Sequence, residues 1–169
     1  MSLVAEMIRS MLSGQNHFNA HSADRLGRWH PLAEHLRSVG LKAGEFAAHW
    51  PWADEAQLAG KLHDLGKYGD LFQQRLLGAE SGLDHWSVGA LDAFQSHKAV
   101  GAALAIEGHH IGLQPALSVA ERLRVTANGR SPSGTSLRLS DTNRVRLLAR
   151  AAKDGITFAG CASPTVPLV

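Results

Sequence analysis

The stretch KLHDLGKYGDLFQQ, residues 61–74, sets His63 and Asp64 side by side at the end of a segment with helical periodicity and an apolar inner face. A carboxylate or an imidazole on such a face is costly unless it is paired or bound to a metal. The chain must therefore fold so that other elements carry partners to this pair.

A bundle of amphipathic helices can do that, and the flanking sequence reads as one. Pro31 suits the first position of a helix in which Leu32, His35, Leu36 and Val39 recur at i, i+3, i+4 and i+7, turning His35 inward. A second helix starts near Asp54, gathers Ala59, Leu62 and His63 on its apolar side and ends at Gly66, which leaves His63 and Asp64 in its last turn. YGDLFQQRLLG reads as a short helix stopped by Gly78. SGLDHWSVGALDAFQSH reads as a helix capped by Asp84, with His85 in its first turn and Val88, Leu91 and Phe94 toward the core. The small-residue run KAVGAALAIEGHHIG delivers His109 and His110 at its end, and Pro115 opens another helix through Leu123.

Residues 128–140, NGRSPSGTSLRLS, have the composition of a flexible loop, after which Asp141 can cap a basic final helix ending at Gly155. Trp29, Trp50, Trp52 and Trp86 are expected as core anchors, and His17, His49 and His97 as surface residues. His21 and His30 flank the first helix and could help position it or touch substrate, with an ordinary structural place the favoured reading.

Composition supports an all-α class: Leu and Ala outnumber the β-favouring Val, Ile and Tyr, and 169 residues suit one domain spanning 1–169. No apolar run is long enough to span a bilayer and the first residues lack a signal-peptide pattern, so the expected setting is soluble and cytoplasmic, with no membrane partner. The single Cys161 excludes an internal disulfide and a cysteine zinc site, leaving histidines and carboxylates to hold any metal. Residues 1–120 carry 9 Lys/Arg against 12 Asp/Glu, and residues 121–169 carry 8 against 3. The basic end could face a polyanion or simply be a solvated helix face.

His35, His63, Asp64, His85, His109 and His110 thus all fall at helix ends or on apolar helix faces. Singly, His35 reads as a core histidine and His85 as a first-turn surface residue; as a set, they point to metal. Helix neighbours diverge by about 100°, so His63 and Asp64 could serve neighbouring ions with Asp64 as a bridging carboxylate. Two cations about 3.5–4 Å apart are the standard clamp for phosphodiester hydrolysis. An imidazole and carboxylate set suits Mn, Fe, Co, Ni or Zn better than Mg or Ca. Lys67, three residues on, could meet a substrate phosphate or equally the helix dipole.

These residues resemble the HD-domain metallophosphohydrolase superfamily. NAHSADRLGRWHPLAEHLRSVG, KLHDLGKYGDLFQQRL, DHWSVGA and EGHHIGL, in this order, are closer still to the HD nuclease domain of the type I CRISPR-associated nuclease-helicase, a likeness covering about residues 19–155. The resemblance implies an HD-domain helical bundle that nicks and degrades single-stranded DNA in antiviral interference. Its partners would be a superfamily 2 helicase domain or subunit and the CRISPR RNA-guided surveillance complex. It further implies two divalent ions, Mn, Fe, Ni or Co with Mg as an alternative. His35, His63 and Asp64 match the ligands of one ion, and Asp64, His85, His109 and His110 those of the other. Asp64 and Lys67 match catalytic positions, Lys67 near the scissile phosphate.

The chain departs from the family pattern at one point. A final ligating Asp, expected beyond RAAKDGI in a stretch like LVDAD, is absent, and Asp141 and Asp154 read as a helix cap and a helix end. The expectation is a C-terminally truncated domain, a substitute ligand from a loop or terminus, or a weakly held first ion. No GxxxxGK[ST] run is present. Beside a nuclease, two readings stand: a phosphohydrolase of nucleotides or cyclic dinucleotides, and a catalytically impaired HD interaction module.

Overall fold

The computed structural model describes residues 18–133 and 136–158. Among these, seven α-helices dominate and the all-α expectation holds. A short antiparallel ribbon, β1 (Asn19–His21) and β2 (His30–Pro31), leads into α1 (Leu32–Phe46) and α2 (Ala53–Leu62). A 3-10 turn (Leu65–Tyr68) and α3 (Asp70–Leu76) follow, then β3 (Leu83–Asp84), α4 (Ser87–His97), α5 (Val100–Ile111) and α6 (Ala116–Ala127). Strand β4 (Arg138–Leu139) pairs in parallel with β3, and α7 (Arg144–Lys153) closes the order.

The core is built from the periodic apolar positions. Leu32 and Leu36 of α1, Leu58 and Leu62 of α2, Leu65 and Tyr68 of the 3-10 turn, Ile106 of α5 and Leu147 of α7 are all buried in one cluster. Burial, then the nearby Asp154, pushes the Tyr68 phenol well above its ordinary range. Two glycines set helix spacing. A Cβ on Gly60 would lie 2.7 Å from Gly40 Cα, and one on Gly89 would lie 2.0 Å from the Leu62 carbonyl oxygen. Thus α1 crosses α2, and α4 meets the end of α2, at backbone contact.

Several expected details change. Helix α2 stops at Leu62, with His63 as its C-cap, and Asp64 (φ −116, ψ 23) breaks from helical geometry ahead of the 3-10 turn. Gly66 does not end a helix: a Cβ there would lie 2.6 Å from the His85 carbonyl, so close packing demands the glycine. His85 is not in a first turn but precedes α4 as a buried residue, and Asp84 caps from further back, accepting from the Trp86 and Ser87 amides. The cap of α7 is Asn143, which accepts from the Arg146 amide, while Asp141 pairs with the Arg146 guanidinium.

Of the described tryptophans only Trp86 is buried; Trp50 and Trp52, between α1 and α2, are exposed, as is Phe94 where α4 emerges from the core. His97 is partly buried with its Nε2 3.5 Å from Asp92. In the 128–140 segment, Ser131 donates to Asp84 and Ser140 to the Gly66 carbonyl, so the described residues are tied to the core at both ends. No helix among the described residues is long and apolar enough to cross a membrane.

Candidate metal centre

The break after α2 turns the Asp64 carboxylate into the space between four elements. It is 3% exposed and its two oxygens face different partners. Oδ2 lies 3.1 Å from His35 Nε2 of α1 and 3.1 Å from His63 Nε2, and accepts from Lys67 Nζ at 2.8 Å. Oδ1 lies 3.3 Å from His85 Nε2 and 3.9 Å from His109 Nε2 of α5. His110 closes the second group, its Nε2 2.9 Å from that of His85. The structure therefore assembles His35, His63 and Asp64 as one potential ligand group and Asp64, His85, His109 and His110 as another.

Backbone carbonyls fix how two of the rings present themselves. Gly60 O accepts from His63 Nδ1 at 2.8 Å, and Ile106 O accepts from His109 Nδ1 at 2.7 Å. A carbonyl can only accept, so each neutral ring carries its proton on Nδ1 and turns a bare Nε2 lone pair toward Asp64. This is the outer-partner arrangement that orients metal-binding imidazoles.

The donor set fits a cation. A lone pair on His63 Nε2 facing a carboxylate oxygen at 3.1 Å is repulsive without positive charge between them. His35 Nε2 and His63 Nε2 lie 3.2 Å apart; ligands about 2.0–2.2 Å from one ion sit about 3.0–3.5 Å from each other. Asp64 Oδ1 is buried without a hydrogen bond. Burial alone pushes the Asp64 carboxyl up, but the imidazoles of His35 and His85 outweigh this and hold it well below the usual carboxylate range. Burial lowers His109, and burial followed by the neighbouring His109 and His85 lowers His110 to about 4, keeping both rings neutral and able to bind metal.

Lys67 is buried, and besides Asp64 it donates to the Ala20 carbonyl at 3.0 Å. Its charge is directed at the carboxylate. Asp141 and Asp154 join neither group; Asp141 is engaged by Arg146, and the Asp154 carbonyl accepts from Arg37. Two histidines given an ordinary structural place by their sequence context, His21 and His30, instead form a third group with His35. The turn between them is closed by Asp24, which accepts from the Leu26 and Arg28 amides, and by Gly27 at φ +74.

A scan against protein-family models matches the HD domain over residues 32–152, from the first residue of α1 into the last turn of α7. No curated protein and no solved structure matches the chain. Since the match spans most of the chain and contains both groups built on Asp64, the chain belongs to the HD domain family of metal-dependent phosphohydrolases.

Proposed function

We propose that this protein is a metal-dependent nuclease that hydrolyses phosphodiester bonds of single-stranded DNA in CRISPR interference. In this reading it works beside a superfamily 2 helicase domain or subunit and the RNA-guided surveillance complex. The observation that carries the hydrolytic part is Asp64, whose two oxygens address two separate imidazole groups. The choice of substrate rests on the four sequence segments and their order.

Held by His35, His63 and Asp64 on one side and Asp64, His85, His109 and His110 on the other, two divalent cations would supply an activated water and offset charge on the phosphate. The protein's own part is preorganisation. Gly60 O and Ile106 O aim the His63 and His109 lone pairs, and Lys67 fixes the orientation and charge of Asp64. His109 and His110 lie on the solvent-facing side of the centre, where a phosphate enters. With two of its three N–H bonds spent on Asp64 and Ala20, Lys67 offers the third to substrate.

One observation favours a second reading, hydrolysis of a nucleotide or cyclic dinucleotide. The arginines of the basic helix α7 are committed: Arg144 to Asp92 and Gln95, Arg146 to Asp141, Arg150 to Asp70 and the Tyr68 carbonyl. Little of that charge is left to track a polyanion.

Incubation with circular single-stranded DNA, and separately with nucleotides and cyclic dinucleotides, in Mn2+, Ni2+, Mg2+ or EDTA separates the readings. Degradation of the circle that needs metal and disappears in Asp64→Ala is the expected result. Turnover of the small molecules without cutting of DNA overturns it in favour of the second reading, and inactivity on every substrate overturns both.

A further inference from the structure

A further imidazole cluster lies against the metal centre and shares only His35 with the groups built on Asp64. His21 and His30 are directly opposed residues of the β1–β2 ribbon, so their side chains leave the same face of it. Their rings are stacked with centroids 6.1 Å apart. His35 of α1 stands edge-on to both, at 5.2 Å from His21 and 5.6 Å from His30. One ring nitrogen from each of the three falls within 4.8 Å of the others, and His21 and His30 are exposed.

The ribbon that carries them is held firmly. The Leu32 amide donates to the Phe18 carbonyl, and Gln73 of α3 braces Asn19 from both sides, accepting from its amide and donating to its carbonyl. The Ser22 hydroxyl donates to the Leu76 carbonyl, and Lys67 donates to the Ala20 carbonyl between the paired strands and Asp64. The connecting turn is closed by Asp24 on the Leu26 and Arg28 amides. Three imidazoles on two rigid supports, with solvent on the open side, are a ligand set of the kind that takes a borderline transition ion and leaves positions for water.

We propose that His21, His30 and His35 form an additional site for a divalent transition cation, occupied independently of Asp64; when the Asp64 centre is filled as well, His35 gives up its ring proton to solvent and bridges the two as an imidazolate. The site contains no carboxylate, so it selects for imidazole-seeking ions such as Zn2+, Ni2+ or Co2+ and rejects Mg2+. A cation there would add positive charge at the edge of the centre. The inference goes beyond the nuclease reading and needs neither DNA nor turnover.

The test is the number of Zn2+ ions retained by the purified chain after equilibrium dialysis, measured by elemental analysis for the unmodified protein and for His21→Ala, His30→Ala, His30→Asn and Asp64→Asn. Circular dichroism on the same samples reports folding. The expected result is loss of one equivalent in each variant of His21 or His30, and retention of that equivalent in Asp64→Asn. Mg2+ in place of Zn2+ should show no difference between the unmodified protein and His30→Asn. Unchanged Zn2+ content in folded His21 and His30 variants overturns the site. Loss of one equivalent alongside complete inactivity on DNA would uphold the site and sink the nuclease reading instead.

Discussion

His35 Nε2 on α1 and His63 Nε2 at the end of α2 lie 3.2 Å apart and converge on one oxygen of Asp64. Two nitrogens and a carboxylate oxygen at this spacing describe three corners of a coordination shell. His35→Ala and His63→Ala should each weaken Mn2+ binding by roughly 10–100-fold or more, the scale seen when even an outer partner of a metal ligand is lost. Calorimetric titration with Mn2+ checks this, and affinities unchanged in both variants would remove the group from the centre.

The distance between those nitrogens depends on the glycine contact beneath them. In Gly60→Ala the new Cβ would meet Gly40 Cα at 2.7 Å and the Val39 carbonyl at 2.8 Å. The gain in helix propensity is about 1 kcal/mol, whereas forcing backbones apart costs about 1–3 kcal/mol and sometimes more, so the clash wins. The variant should be less stable in urea and should bind Mn2+ more weakly, because Gly60 O is also the anchor of His63.

Asp84 is fully buried and accepts from the Trp86 and Ser87 amides and from the Ser87 and Ser131 hydroxyls. Asp84→Ala strands these donors and should cost roughly 2–4 kcal/mol, with Asp84→Asn milder since it keeps an acceptor. Because His85 follows directly, both substitutions should also loosen the second ligand group. Urea denaturation midpoints give the first effect and metal titration the second.

Much of this arrangement is legible from residue spacing. The i, i+3, i+4 pattern of Leu32, His35 and Leu36 points His35 inward, and His109 and His110 fall in the last turn of α5 before Gly112 (φ +79), as their place before a glycine suggests. What the spacing hides is tertiary. The departure of Asp64 from the helix depends on Gly66 fitting beneath the His85 carbonyl, a contact between residues 19 positions apart that no local period encodes. His85 looks like a surface residue until Phe72, Trp86 and His110 close around its ring and bury it. The grouping of His21 and His30 with His35 needs the register of a ribbon only two or three residues long in each strand. Trp50 and Trp52 mislead because aromatic size predicts burial only where a neighbouring element arrives to cover it.

Acid should destabilise the metal-free protein before it touches Asp64. An unfolded His110 takes up its proton near 6.5, but in the folded chain burial and the adjacent His109 and His85 delay this to about 4. Between these values the unfolded state holds more protons, so stability falls as pH falls through that window. His109, lowered chiefly by burial, acts in the same direction. Melting temperatures of EDTA-treated protein should decline across the window, and His110→Gln should flatten the decline; an equal slope in both would contradict the assignment.

The central claim is that Asp64 is shared, one oxygen to each imidazole group. Anomalous diffraction from crystals grown with Mn2+ tests it directly. The account predicts two peaks about 3.5–4 Å apart flanking the Asp64 carboxylate, one beside His35 and His63, the other beside His85, His109 and His110. A single peak bound by both groups, or two peaks neither of which touches Asp64, would contradict it.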